Sequence, residues 1–97
     1  MGTFLKRDQY DREIHDVTED LRNMNLLVLA GNIVRAERRG NNIIVLQNRA
    51  GGHWFITYWW TENARSPLTD VVGAQVLRFA RNEIDPNGCL FGQVQLF

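Results

Sequence analysis

The run Trp54-Phe55-Ile56-Thr57-Tyr58-Trp59-Trp60 constrains this chain more than any other stretch. Aromatic and β-branched side chains suit a pleated, half-buried surface, so a strand is expected here. At period two, Trp54, Ile56, Tyr58 and Trp60 share one face while Phe55, Thr57 and Trp59 share the other. Neither face is polar. Three tryptophans and a tyrosine in one short run exceed what a small core comfortably holds. An exposed aromatic face on this strand is therefore expected.

Two strands are expected ahead of it. The first runs from about Leu26 to Arg38, with Gly31 permitting a bulge or bend. Gly40-Asn41-Asn42 has turn chemistry, and Ile43-Ile44-Val45-Leu46 is an apolar run consistent with the second strand. Gln47 to His53 then forms a polar, Gly-containing loop. Before all of this, Tyr10, Ile14, Val17, Leu21 and Met24 are spaced four, three, four and three apart, a narrow helical seam. An amphipathic helix is expected within residues 1–24, with Asp8 and Arg12 as an i,i+4 pair on its surface. Such a seam docks on its own domain or, given its heptad-like spacing, pairs with a second copy.

Downstream, residues 61–73 read as a connector with at most a short helix near Pro67. Ile84-Asp85-Pro86-Asn87-Gly88-Cys89 is a hairpin turn sequence, because Pro pre-sets the first turn angle and Asn-Gly tolerates positive φ. A hairpin needs strands on both sides, so Ala74–Ile84 and Leu90–Leu96 are read as the fourth and fifth strands. The expected class is mainly β: a five-stranded, OB-fold-like β-barrel over residues 25–97 with an added N-terminal α-helix. The alternative places a helix at 68–84 and gives an α+β chain of order α-β-β-β-α-β. At 97 residues, both segments belong to one domain, since smaller pieces could not bury a core without staples.

Charge and cysteine usage narrow the function. The formal net charge is zero, but it is unevenly distributed. Residues 1–24 carry four basic and six acidic side chains, whereas residues 25–97 carry seven arginines, no lysine and five acids. Arginine offers a planar fork for phosphate and a flat face for bases. Cys89 is the only cysteine, which rules out an intramolecular disulfide and zinc sites built on paired cysteines. No apolar run approaches the ~20 residues of a membrane span. The charged segment around Lys6, Arg7 and Asp8 is unlike a signal peptide, and a soluble cytoplasmic protein is expected.

The segment Asn25-Leu26-Leu27-Val28-Leu29-Ala30-Gly31-Asn32-Ile33, the Trp-led third strand, and Gly73-Ala74-Gln75-Val76 after the connector together resemble bacterial single-stranded DNA-binding proteins and primosomal replication protein N. The resemblance covers residues 25–97 and implies an OB-fold that binds single-stranded DNA or RNA. It implies Trp54, Tyr58 and Trp60 as the stacking platform. Arg35, Arg38, Arg39 and Arg49 would line the groove and hold phosphates, with Gln47 and Asn48 at base edges. No catalytic residues, metal or cofactor are expected. His15 and His53 lack a nucleophile pattern, and Gly51-Gly52 is too short for a phosphate loop. The rival expectation is a protein-interaction module that uses the aromatic strand and acidic helix, with self-association through the helix or a barrel edge.

Overall fold

The computed structural model describes residues 2–24, 32–49, 53–79 and 88–90, with backbone alone at 49, 53 and 71–79. Six strands and one helix follow in order: β1 (Thr3–Arg7), β2 (Glu13–Asp16), α1 (Thr18–Asn23), β3 (Asn32–Arg39), β4 (Asn42–Arg49), β5 (His53–Thr61) and β6 (Val71–Phe79). Each strand pairs antiparallel with the next, so the sheet order is simply β1-β2-β3-β4-β5-β6. This is a meander. The mainly β expectation is met by an antiparallel sheet, and among the described residues no ladder joins β6 back to β1.

The aromatic run lies within β5, as its β-branched and aromatic content requires. β3 and β4 are joined through the two residues Gly40 and Asn41, with Arg39 opposite Asn42. Gly40 has φ +59 and Asn41 is not among the positive-φ residues, the pattern of a hairpin turn with glycine at its first central position. β6 is strand through Phe79, which removes the helix alternative for the part of 68–84 that is described. The expected turn at 84–89 and final strand at 90–96 lie mostly outside the described residues, as do positions 26–31 of the first expected strand.

The N-terminal segment corrects the sequence reading. Instead of one helix along the Tyr10-to-Met24 seam, the chain makes a β1–β2 hairpin and only then the six-residue α1. Asp8 explains the difference. Its Oδ1 accepts the backbone N–H groups of Tyr10 and Arg12, both at 2.8 Å, a side-chain-to-backbone closure that competes with helix. Asp11 adds a positive φ of 62°, a conformation a helix interior does not contain. The expected Asp8–Arg12 pair exists at 2.9 Å, but it spans a turn. Of the five seam residues, Val17, Leu21 and Met24 pack together, Ile14 joins a different cluster and Tyr10 is exposed.

Both faces of the sheet carry a core. On one, Ile14, Ile44, Leu46, Ile56 and Leu90 are buried together, with Val34, Trp54 and Cys89 against them. On the other, Val17 and Leu21 of the α1 region pack on Ala36, Ile43, Val45, Trp59 and Leu68. A helix this short has no independent stability. It is held by this burial, about 1.5–3 kcal/mol per large apolar side chain, and by hydrogen bonds to β3. The Ala36 N–H donates to Thr18 Oγ1 at 2.9 Å, and the Arg22 guanidinium donates to the Ile33 carbonyl at 2.7 and 3.0 Å.

Candidate binding face

Cross-strand register defines which side chains share the aromatic face. Asn48 lies opposite Trp54, Leu46 opposite Ile56, Ile44 opposite Tyr58 and Asn42 opposite Trp60. Along β3, Arg35 opposes Leu46, Glu37 opposes Ile44 and Arg39 opposes Asn42. A bulge between Ile33 and Arg35 brings Val34 to the same apolar cluster. Trp54, Tyr58 and Trp60 therefore share a face with Arg35, Glu37 and Arg39.

The three rings are each half-buried, whereas Trp59 on the opposite face is buried. They differ in setting. Trp54 packs against the apolar cluster, and its buried Nε1 has no hydrogen-bond partner among the described residues. Tyr58 donates its hydroxyl to Asn42 Oδ1 at 3.1 Å, which pins its ring. The ring centroids of Tyr58 and Trp60 lie 5.5 Å apart with planes tilted by 43°, within the range where aromatic pairs attract. The result is an aromatic pair at one end of the face and a single tryptophan anchored in the core at the other.

The arginines do not form one groove with these rings. Arg35 is ion-paired to the fully buried Glu37 at 2.7 Å, and Arg39 is ion-paired to Asp8 at 3.3 Å. Both cations on the aromatic face are thus matched by carboxylates. Arg38 lies on the opposite face, across from Ile43 and His15. Gln47 is on that opposite face too, where it is buried and its Oε1 accepts the Thr57 hydroxyl at 3.0 Å. Gln47 thus sits inside β4, where the sequence reading had a loop. Asn48 is half-buried, opposite Trp54. For Arg49 only the backbone, at the end of β4, is described.

A second group on the aromatic face was not singled out from sequence. Glu37 accepts the Leu90 N–H at 2.9 Å and the Cys89 thiol at 3.2 Å, tying the segment 88–90 to the middle of β3. Asp8 receives Arg12 at 2.9 Å beside Arg39. Burial alone would raise the Asp8 carboxyl, but the Arg12 and Tyr10 amides and the Arg12 guanidinium hold it below its ordinary value. The signal for Glu37 was present, since it lies two residues from both Arg35 and Arg39 and so shares their strand face. Nothing local pointed to Asp8 reaching Arg39.

Among the described residues, no cluster of three or more His, Cys, Asp or Glu side chains is placed to hold a metal ion. No described helix is long and apolar enough to cross a membrane. Compared with protein-family models, with curated proteins and with solved structures, the chain gives no match. Its class is set by the fold alone: a mainly β protein whose described residues form an antiparallel meander with one short helix.

Proposed function

We propose that this protein binds single-stranded nucleic acid, DNA or RNA, without catalysing a reaction on it, through Trp54, Tyr58 and Trp60. The observation that carries the proposal is the placement of these three half-buried rings on one sheet face, with Tyr58 and Trp60 in contact. Stacking a base on such a ring contributes about 1–3 kcal/mol and accepts any base. Because Arg35 and Arg39 are already paired with Glu37 and Asp8, stacking supplies most of the affinity and phosphate neutralisation little. An OB-fold-like barrel is the finer architecture in this proposal. Hydrogen exchange addresses it, since closure would slow the outward amides of β1 to the rate of those in β4.

Tryptophan fluorescence titrated with a short unstructured oligonucleotide tests the binding. Saturable quenching that Trp60→Ala weakens about tenfold, one stacked base, is the expected result. An unchanged spectrum at low salt rejects the proposal.

One observation favours a second reading, a protein-interaction module. Phe4 is 50% exposed, Leu5 36% and Tyr10 67%, all on β1 and the turn after it, and among the described residues β1 is an outer strand whose one neighbour is β2. An outer strand offers unpaired backbone groups to another chain. Sedimentation of the native protein beside a Phe4→Ser, Tyr10→Ser variant separates the readings: a mass that falls in the variant, with oligonucleotide quenching intact, identifies β1 as a self-association edge.

A further inference from the structure

The β1–β2 hairpin and the β3–β4 turn border an open pocket of about 390 Å³, lined by Arg7, Arg12, Arg38 and His15 together with Asp11 and Glu13. Register places the side chains. Arg7 lies opposite Glu13 and His15 opposite Arg38. The carboxylates here are already engaged. Glu13 is 3.2 Å from Arg7 and 3.2 Å from the His15 Nε2, while Asp11 is 3.6 Å from Arg7. Arg12 is held by Asp8 at 2.9 Å.

Arg38 differs from its neighbours. Its Nε donates to the Gly40 carbonyl at 2.8 Å, and its Nη2 donates to Thr61 Oγ1 and the Asn63 carbonyl, each at 3.4 Å. All of these acceptors are neutral, and no ion pair among the described residues gives Arg38 a carboxylate. It is partly buried, and that burial pulls its pKa down with no opposing acid. A desolvated cation normally has a counter-charge. Arg38 is instead held by neutral oxygens in the lining of a pocket whose other two guanidiniums have their own partners.

We infer that this pocket is an anion site, and that it takes a phosphate group whose oxygens are bound by the Arg38 guanidinium with Arg7, Arg12 and His15 around it. The guanidinium fork matches phosphate oxygens in pairs, and an anchored fork loses little freedom on binding. The phosphate can come from a free ion or from the end of a nucleic-acid strand. Arg38 and His15 lie across the sheet from the stacking rings, so the two proposals are tested separately.

The test is a titration of the full chain with inorganic phosphate and with pyrophosphate, followed by amide and arginine Nε NMR shifts. Saturable shifts at Arg38 Nε, Gly40 and His15 are expected, with affinity falling roughly tenfold to a hundredfold in Arg38→Gln, the loss of a charge-assisted contact. Trp60→Ala should leave these shifts unchanged, so failure here and failure of the stacking proposal are separate results. Titration with matched oligonucleotides that differ only in a 5′-phosphate identifies the source: preference for the phosphorylated strand assigns a strand end, and equal behaviour with retained phosphate binding assigns a free ion. Absence of saturable shifts with either probe overturns the inference. So does undiminished binding in both Arg38→Gln and Arg7→Gln when their spectra show native folds.

Discussion

Glu37 concentrates more structure than any other single side chain on the aromatic face. Fully buried, it faces Arg35 at 2.7 Å and accepts from Leu90 and Cys89, so a charge, a backbone amide and a thiol all depend on one carboxylate. Removing one member of a buried ion pair leaves the other unmatched and costs about 3–5 kcal/mol. Glu37→Ala is expected to lose stability on that scale in urea unfolding. Cys89→Ala, which gives up only a weak donor, should lose far less. Equal losses would place the stabilisation in apolar packing instead. The pair was legible as a pattern, Arg35, Glu37 and Arg39 at period two, but its partners 52 and 53 residues away were not, because local spacing carries no information about what the fold brings opposite.

At the scale of elements, two turns govern the strands. Gly40 has φ +59, and a Cβ there would meet nothing nearer than Arg12 Cδ at 3.8 Å. Space is available, so Gly40→Ala is disfavoured by backbone strain, about 1–2 kcal/mol, and its melting temperature should drop with the β3–β4 amides exchanging faster. The Asp8 turn makes a different prediction. A carboxyl held below its ordinary value in the native state stabilises the fold above the unfolded carboxyl value near ~4, and that stability disappears as pH falls through the lower native value. Melting temperature followed from neutral pH to about pH 2 should therefore decline on the acid limb, and Asp8→Asn should flatten that limb while lowering the neutral value. The Gly40 turn was readable because glycine and asparagine have few other uses between apolar runs. Asp8 was misread because an Asp-to-Arg spacing of four serves a helix surface and a turn equally well.

For the whole molecule, the proposed partner makes salt dependence informative. Four arginines releasing counterions from a single strand would give a slope of log K against log[salt] near about −2.8, at roughly −0.7 each. With Arg35 and Arg39 in ion pairs and Arg38 on the far face, Arg49 alone is left and a slope of about −0.7 is expected in oligonucleotide titrations at several salt concentrations. A slope near the steeper value would mean that those ion pairs open on binding. What can be read from residues alone is local: β5, the Gly40 hairpin and the alternation that puts Trp54, Tyr58 and Trp60 on one face follow from side-chain shape and period two. For the segment of β6 (Val71–Phe79) the pattern allowed strand or helix, and the pairing with β5 decides for strand. The first residues became a hairpin because Asp8 reaches Arg39 as well as its own turn. Tyr10, Ile14 and Leu21, although spaced for one helix, ended on solvent and on two different cores because the sheet has two faces to cover. The arginines were divided between ion pairs and a separate pocket because strand pairing, which spacing along the chain does not encode, chooses each side chain's neighbours.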